Sequence, residues 1–486
     1  MISIQAKKHD NFAVEFKCGF NCNVDGLADD FAVNAWIFVP NSLDINPENY
    51  GKKQFYRDIK SNVRLITPTF TLRELAKESS HPLQSLTSAI NSIVASPFED
   101  SVIDTYEYHL KMYSAIFKSA LRDQAKDLMS SCSMPDATDL VVDYATSSRK
   151  VLSRFRDLFR LIDSPDIPEK VRHSFRLCDE FMTHILDVRT LRLIKLMDTS
   201  DAELCGPMRE KLVELLAEEQ IYRQQKGYRN LTGDSKQDRE LVHHFGMLKK
   251  YIESELYIKL DKKKDGVAVQ QIYYSLAAGV AMIFATGVSW HSQQKYGNIT
   301  WPLFVVLVIS YMLKDRIKDL LRYYFAHRLG NKYYDKKAII AIGNTNVGTI
   351  KEGFDFISDT KIPDEVKSLR EKSSFVEGES NIFEEKVLLY RQRVTLDENA
   401  LAVKDQYTRQ GINEIFRLHL NRFTHKMDNP QVKVDAMDES GNISTFSVQK
   451  IYYVNVVFQL VHDNKIQYRQ FRIGMTRDGV LDVEQI

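Results

Sequence analysis

Polar and hydrophobic residues alternate in the first part of the chain. Phe12, Val14 and Phe16 stand at every second position, and residues 31–37 repeat the same spacing. Successive side chains of a β-strand point to opposite faces, so a period of two indicates strands with one buried face. Residues 1–70 are therefore predicted to form a β-rich N-terminal domain.

The spacing becomes helical in the next part of the chain. Val151, Phe155, Leu158 and Ile162 lie three or four positions apart, so they fall on one side of a helix. No residue pattern recurs between successive segments, which argues against a helical repeat. Residues 71–264 are predicted to form a cytoplasmic helical bundle or a coiled-coil-like region.

A long hydrophobic segment, residues 272–290, contains no charged side chain. As a helix it would be about 28 Å long, close to the roughly 30 Å of a bilayer's hydrocarbon core. A shorter apolar run, residues 299–313, follows after a brief connector. The predicted fold class is therefore an α+β integral membrane protein in which residues 270–313 form a two-helix transmembrane hairpin, with β-rich cytoplasmic segments at both ends of the chain. A buried helical pair in a soluble core is the alternative.

Aromatic rings with a polar group mark both ends of the predicted spans. Such rings collect at the headgroup layers of a bilayer. Three of them are expected at the cytoplasmic level and three at the opposite level. The predicted membrane-interface residues are Tyr273, Tyr274, Trp290, Tyr296, Trp301 and Tyr311.

Lysine and arginine residues determine the predicted orientation. They cluster before the first span and after the second, whereas the connector has only Lys295. Basic residues are retained on the cytoplasmic side, so both termini are expected in the cytoplasm and the protein in a bacterial inner membrane. Residues 314–330 are predicted to continue as a juxtamembrane helix that contacts anionic lipid. The predicted lipid contacts of this helix are Lys314, Arg316, Lys318 and Arg322.

Small residues occupy one side of the first predicted span. Small side chains allow helices to approach closely in a membrane, so we expect a second copy or another protein as a partner besides the lipid bilayer. Neither span carries an ionisable group between its ends, which argues against ion-coupled transport. The predicted helix-packing residues are Ser275, Gly279, Thr286 and Ser289.

The remaining residues, 331–486, are predicted to form a cytoplasmic α+β domain. The segment KKAIIAIGNTNVGTIKE has strand-like runs on both sides of a turn, and Asp463-Asn464 separates two more such runs. Between them, the apolar residues of the segment 412–423 have a spacing that indicates one face of a helix.

One candidate for a phosphate-binding loop is GNTNVGT, residues 343–349, which has a two-glycine spacing. Thr349 stands where such a loop needs its lysine, and Ile350 stands where it needs a hydroxyl group. A hairpin turn is therefore preferred to a degenerate nucleotide-binding loop.

A basic segment, SSRKVLSRFRDLFR, is the other candidate for anion binding. Its aromatic residues lie on the apolar helical stripe, so its basic residues are interpreted first as a solvated helix face. Binding of anionic lipid or of a nucleotide is the alternative. The possible anion contacts in this segment are Arg149, Arg156 and Arg160.

Composition limits the remaining possibilities. The chain has 66 basic and 65 acidic residues, so its net charge gives no reason to expect a nucleic-acid partner. Its five cysteines are irregularly spaced and are predicted to be reduced thiols. No catalytic motif, cofactor site or metal-ligand cluster is recognised, so catalytic residues are unknown and no cofactor is expected.

These features favour a membrane protein that acts through interactions, as a scaffold, sensor or effector anchored in the bilayer. Two alternatives stay open. One is a membrane-tethered enzyme or nucleotide-binding protein whose site is built from dispersed residues. The other is an oligomer that permeabilises the membrane.

Overall fold

The computed structural model divides the chain into two compact units. The unit we call the β unit comprises Met1–Val63, Ile258–Leu401 and Gly411–Ile486, and the unit we call the helical unit comprises Arg64–Tyr257 and Ala402–Gln410. The described residues are 2–22, 29–131, 137–198, 202–231, 233–297, 300–330, 334–342, 345–371, 385–397, 400–401, 407, 411–437 and 443–486.

The described strands belong to the β unit, apart from the last two residues of β4, which fall in the helical unit. In chain order they are β1 Ile2–Asp10, β2 Ala13–Asn21, β3 Asp29–Pro40, β4 Ile59–Leu65, β5 Lys259–Lys264, β6 Lys336–Ile342, β7 Thr345–Ile357, β8 Glu385–Leu396, β9 Gly411–His419, β10 Gln431–Met437, β11 Ile443–Gln449, β12 Tyr452–His462, β13 Lys465–Thr476 and β14 Gly479–Gln485. They form three sheets with the strand orders β1-β2-β9-β4, β10-β11 and β14-β13-β12-β3-β8-β7-β6-β5.

Strands from the two ends of the chain pair with each other. β3 lies between β8 and β12, and β2 pairs with β9. Aromatic rings fill the space between the two larger sheets: the centre of the Phe16 ring lies 5.0 Å from that of Phe416 and 5.2 Å from that of Phe458. The N-terminal and C-terminal strands therefore share one core.

The helices of the described residues are divided between the two units. In chain order the α-helices are α1 Lys52–Asp58, α2 Leu72–Leu75, α3 His81–Ala95, α4 Asp100–Ser131, α5 Ala137–Asp157, α6 Phe159–Ile162, α7 Glu169–Met197, α8 Ala202–Lys226, α9 Ser235–Ile252, α10 Val267–Tyr296, α11 Trp301–Gly330, α12 Asp364–Glu371 and α13 Asn421–Thr424. Helices α2 to α9 form the helical unit, and the predicted apolar stripe is buried there at Val151, Phe155 and Ile162.

The α+β class is confirmed, but the predicted two-helix transmembrane hairpin is wrong. Among the described helices, only α10, over Val269–Tyr296, is long and apolar enough to cross a membrane. In α11 the apolar run Trp301–Leu313 is followed at once by charged residues, beginning with Lys314. As a helix that run is about 20 Å long, well short of the roughly 30 Å of a hydrocarbon core.

The pairing of α10 with α11 gives a second reason for this correction. The helices pack side by side, and the centre of the Tyr273 ring lies 5.1 Å from that of Phe325. The Arg322 guanidinium lies 5.4 Å from the centre of the Tyr274 ring. These contacts align the charged part of α11 with the beginning of the apolar segment of α10. The two apolar segments therefore do not lie at one level, as a membrane-spanning pair would require.

The prediction of a helix over residues 412–423 is also wrong. Instead of one helix it forms most of β9 and the single-turn helix α13. Within β9 the buried positions recur with a period of two, but one of them is the acid Glu414. This buried acid interrupts the apolar series, so the strand period is hidden when apolar residues alone are counted.

Two predicted turns do join paired strands. β6 pairs with β7, although Gly343 and Asn344 of the candidate loop between them lie outside the described residues. β12 and β13 are joined by Asp463 and Asn464, whose φ angles are 50° and 60°. Positive φ at both central residues is what a two-residue type I′ hairpin requires. The strand pairing on both sides of each turn is confirmed.

Candidate functional site

The helices α10 and α11 form what we call the helical arm. Its ends continue into the neighbouring strands β5 and β6, where Lys264 and Lys336 stand opposite each other. Its surface is hydrophobic: Ile283 is 74% exposed and Trp301 is 79% exposed. Only 11% of the most apolar stretch of α10 is buried inside the chain. The arm therefore presents an uncovered apolar surface.

The six aromatic residues predicted for a membrane interface all lie on this arm. Tyr273 and Tyr274 are partly buried against α11 near the sheet. Indole and phenol rings suit the boundary between lipid and water, because one end of each ring is apolar and the other is polar. Their role at a membrane stays a prediction. The four exposed members are Trp290, Tyr296, Trp301 and Tyr311.

The side of α10 that faces α11 is formed by small residues, and Ala277 and Ala281 are buried there. The predicted helix-packing residues lie mostly on the adjoining side of α10, where a Cβ added at Gly279 would meet nothing within 4 Å. That face is open to a helix of another molecule, and such packing stays a prediction. Three of the predicted residues are exposed and the last is partly buried: Ser275, Gly279, Thr286 and Ser289.

The basic residues predicted to contact lipid lie on α11. Lys318 donates a hydrogen bond to Asp315 at 3.0 Å. The Lys314 Nζ lies 4.0 Å from the centre of the Tyr311 ring. Arg316 is exposed, and Arg322 stands over the tyrosine ring described above. Their contact with lipid headgroups stays a prediction.

In the helical unit, the basic segment lies at the end of α5 and in α6, and its arginines pair with acids. Arg149 donates two hydrogen bonds to Glu218, at 2.6 and 3.0 Å. Arg160 lies 3.4 Å from Asp157, and its side chain is 84% exposed. Arg149 thus belongs to a solvated helix face, whereas Arg160 stands in the wall of a pocket.

Arg156 extends into the wall of this pocket. Its guanidinium donates to Asp179 at 3.0 Å and makes two hydrogen bonds to Glu219, at 3.0 and 2.7 Å. The Arg156 Cζ also lies 3.5 Å from the centre of the Tyr222 ring, within cation–π distance. The guanidinium is therefore fixed in place by two carboxylates and one aromatic ring.

Asp179, on α7, accepts hydrogen bonds from three separate parts of the chain. Its Oδ1 accepts from Arg156, and its Oδ2 accepts from the hydroxyl groups of Tyr222 at 2.8 Å and Tyr228 at 2.7 Å. Asp179 is only 3% exposed. Burial of a carboxylate is costly unless it is paired and hydrogen-bonded, and both conditions hold here. This part of the pocket wall is therefore preorganised.

The end of α8 positions Tyr228. The helix ends at Lys226, and Gly227 has a φ of 71°, in the left-handed region that favours glycine. The N–H of Tyr228 then donates to the Arg223 carbonyl at 3.0 Å, as in a Schellman cap. The chain reverses at this point, and the reversal directs the Tyr228 hydroxyl to Asp179.

The pocket has a volume of about 500 Å³, within the roughly 300–1,000 Å³ typical of small-molecule sites. Phe159, Phe175 and Tyr222 contribute aromatic rings to its wall. The Lys226 Nζ lies 5.7 Å from the centre of the Tyr222 ring and 5.9 Å from that of Phe159. Arg176 is a further cation in the wall. Asp157 and Asp163 are acids of the same wall. Its rings can stack on a planar group, and its cations can attract an anion beside these acids.

Burial and charged partners determine the protonation states of these groups. Burial and the Asp179 charge raise the pKa values of Tyr222 and Tyr228 well above that of free tyrosine. Burial lowers the pKa of Arg156, but its hydrogen bonds to Glu219 and the nearby Asp179 charge outweigh this and raise it overall. The tyrosines therefore remain hydroxyl donors and Arg156 remains a cation. These three groups supply neither a general base nor a nucleophile.

A separate cluster in the β unit contains metal-ligating residue types. The ligand atoms of Asp29, His462 and Asp463 all lie within 4.8 Å of one another. However, His462 Nε2 is 3.4 Å from Asp29, and His462 Nδ1 is 3.4 Å from Asp463. The carboxylates thus lie at opposite ring nitrogens, and an imidazole offers only one nitrogen to a given ion. The geometry orients an imidazole, and the expectation of no metal or cofactor stays a prediction.

Sequence reasoning identifies Arg156 and Arg160 but not the residues that complete the pocket. Asp179 is 23 positions from Arg156 and 43 positions from Tyr222, so no local motif connects them. The available signal is that Asp179 falls on the buried side of α7, between Phe175 and other apolar residues. Comparisons of this chain with protein-family models, curated proteins and solved structures find no match.

Proposed function

We propose that this protein attaches to a lipid membrane through the helical arm and acts there as an interaction protein. The exposed apolar surface of the arm carries this proposal. On α10, Ile272, Leu276 and Ile283 are 66%, 53% and 74% exposed. An uncovered surface of this kind promotes aggregation in water, whereas lipid can cover it.

The size of the apolar surface is sufficient for stable attachment. Burying one large hydrophobic side chain contributes about 1.5–3 kcal/mol, so several together contribute on the order of 10 kcal/mol. Both ends of the arm stay on one side of the bilayer, because β5 and β6 pair within one sheet. We assign that side, with both termini, to the cytoplasm, because basic residues cluster at both ends of the arm. The proposal does not require α11 to cross the bilayer.

Tryptophan fluorescence tests this attachment directly. The chain has three tryptophans: Trp290 and Trp301 lie on the arm, while Trp36 is only 4% exposed. In vesicles that contain brominated lipid, we expect quenching of the arm tryptophans. The quenching should disappear in the Trp290→Phe/Trp301→Phe variant and persist in Trp36→Phe.

Vesicle flotation with matched variants gives a second measurement. Replacing Leu276 and Ile283 with glutamate places two charges on the apolar surface, so flotation should decrease strongly. The matched control replaces Val242, a 66% exposed residue of α9, with glutamate and should float like the wild type. Wild-type protein that stays soluble without vesicles and neither floats nor shows quenching would disprove the proposal.

The pocket of the helical unit supports a more specific version, a membrane-anchored sensor of a small anion that carries a planar ring. Arg160, Arg176 and Lys226 provide positive charge, and Phe159 and Tyr222 provide stacking surfaces. The fixed Asp179 network supplies a wall that does not have to reorganise on binding.

Calorimetric titration with AMP and with inorganic phosphate tests this version. AMP should bind more tightly than phosphate, because only AMP has a ring to stack. Lys226→Gln should weaken AMP binding about tenfold, and Lys211→Gln, the same change on the exposed side of the same helix, should leave it unchanged. Absence of AMP binding, or equal weakening by both variants, would remove the sensor version without affecting membrane attachment.

A further inference from the structure

The β10–β11 hairpin stands apart from the rest of the β unit. Within the described chain, these two strands pair with each other and with no other strand. Every residue of both strands is exposed. A two-stranded hairpin on its own is marginally stable in water, and three or more strands are usually needed. The hairpin therefore lacks the additional strands that would stabilise it.

One face of the hairpin is apolar. Val432 stands opposite Val448, and Val434 stands opposite Phe446, so these four side chains share one face. Their exposed fractions are 44%, 50%, 47% and 56% in that order. The other face carries polar residues over most of its length, including Lys433. Free strand edges with an apolar face are ready to pair with another strand.

The charges on β10 indicate which strand completes the sheet. Lys433 stands opposite Ser447, and Asp435 stands opposite Thr445, so neither charge faces an opposite charge across the hairpin. Lys433 is one position before Val434 and Asp435 is one position after it. Both charged side chains therefore lie on the polar face, opposite to the face of Val434. β11 contains no charged residue, so only β10 has an edge with this pattern within the hairpin.

We propose that two copies of this chain associate by antiparallel pairing of their β10 strands, centred on Val434. This register places Lys433 of each copy opposite the partner's Asp435, which forms two ion pairs about a two-fold axis. The two hairpins then make one four-stranded sheet with the order β11-β10-β10-β11. The inference rests on the hairpin alone and is independent of membrane attachment and of the pocket.

Disulfide cross-linking tests the register. In the Val434→Cys variant, the two cysteines face each other across the axis at the roughly 5.5 Å Cα spacing that a disulfide accepts. The matched control, Val448→Cys, lies on β11 and is separated from its copy by about three strand spacings across the sheet and about four residues along it, roughly 19 Å in all. Cys22, Cys132 and Cys205 are replaced by serine in both variants, while Cys18 and Cys178 are buried and are retained.

We expect Val434→Cys to form a covalent dimer at least tenfold faster than Val448→Cys under mild oxidation of the full chain. Adding Lys433→Asp or Asp435→Lys should each slow this reaction, because like charges then face each other. The combined swap Lys433→Asp/Asp435→Lys should restore it. A restored rate cannot come from misfolding, so the swap separates pairing from a structural effect.

Three results would overturn the proposal. The first is equal cross-linking at Val434 and Val448. The second is a rate at Val434 that the single charge reversals leave unchanged. The third is a protein that remains monomeric by light scattering in detergent, while a fluorophore on a hairpin cysteine is protected from water only when vesicles are present. That result would assign the apolar face to lipid.

Discussion

Asp179 in the helical unit and Glu414 in the β unit are both buried carboxylates, 3% and 0% exposed. Asp179 accepts hydrogen bonds from one arginine and two tyrosines. Glu414 accepts from the Ser61 hydroxyl and from the Gln392 amide, both at 2.5 Å, and neither donor is charged. A second acid, Glu352, lies close enough to act on it electrostatically.

The difference shows how partners determine the state of a buried acid. Burial raises the pKa of Glu414 to about 7, and the negative charge of Glu352 adds to that effect. Neutral donors are not sufficient to compensate for lost hydration. Asp179 has a guanidinium in direct contact, and its charge in turn raises the pKa values of the two tyrosines. Asp179 is therefore held by a charged partner in a pocket wall, whereas Glu414 can change its protonation near neutral pH.

Removing the Asp179 carboxylate should have the largest effect on stability. The Asp179→Ala variant removes one of the two carboxylates that bind Arg156 and leaves two tyrosine hydroxyls without their acceptor, so the helical unit should lose about 3–5 kcal/mol. Urea unfolding of the helical unit, followed by hydrogen exchange of α7 and α8, measures this loss. Asp157→Ala, at an exposed acid of the same pocket, is the control and should cost less than about 1 kcal/mol. Equal losses would show that Asp179 has no special role.

Replacing Glu414 with glutamine should stabilise the β unit in a pH-dependent way. The folded pKa of about 7 lies above the ordinary value of 4.5, so the folded chain retains a proton that the unfolded chain releases between these values. The stability contributed by this proton is present below about pH 4.5 and is lost as pH rises through 7. Glutamine mimics the protonated acid, so we expect no gain at pH 4.5 and about 3 kcal/mol at pH 8.

Urea unfolding monitored by Trp36 fluorescence measures this gain, with both arm tryptophans replaced by phenylalanine. Glu484→Gln, at a half-exposed acid paired with Arg472, is the control for the same chemical change. Its effect should stay within about 0.5 kcal/mol at both pH values. A gain in Glu414→Gln that is equal at pH 4.5 and pH 8 would contradict a titrating Glu414.

A smaller effect is expected at Gly227, which positions Tyr228 over Asp179. An added Cβ would meet nothing within 4 Å, but the φ of 71° is strained for alanine. Gly227→Ala should therefore cost about 1 kcal/mol. Gly246, inside α9, also has open space around an added Cβ, and Gly246→Ala should stabilise by about 0.5–1 kcal/mol. Thermal melts should show opposite signs, and equal signs would disprove the conformational explanation.

The smallest effect is expected for the surface pair Arg149–Glu218. Its side chains are 33% and 51% exposed, so Arg149→Ala should cost less than about 1 kcal/mol and less at high salt. Urea unfolding at low and high salt measures it. A loss of stability comparable to that of Asp179→Ala would mean that burial does not distinguish Arg149–Glu218 from Arg156–Asp179.

Hydrophobic periodicity predicts much of the secondary structure but not how the elements pair. It correctly identifies strands near both ends and the buried stripe of Val151 and Phe155, because each pattern depends on local spacing. It assigns β9 to a helix because the buried Glu414 does not count as apolar. A composition-based search therefore misses strands whose core positions include an acid.

The helical arm and the pocket show two further limits. The apolar residues of α10 and α11 are evident in the sequence, but the contact between Tyr273 and Phe325 that aligns them is not. This alignment of the two helices determines whether their apolar segments lie at the same depth of a bilayer. In the pocket, Arg156 is recognisable from its basic neighbours, whereas Tyr228 depends on a chain reversal at Gly227 that only the folded helix end displays.

The pairing of β3 with β12 also determines the order in which the chain can fold. Asn34, on β3, donates a hydrogen bond to Gln459, 425 positions later. During synthesis the N-terminal strands must therefore wait for almost the entire chain before the eight-stranded sheet can close. Residues 64–257 are continuous and rich in local helical contacts, so they can fold while synthesis proceeds. A nascent chain halted before β12 should consequently have a protease-resistant helical segment and protease-sensitive strands on its N-terminal side.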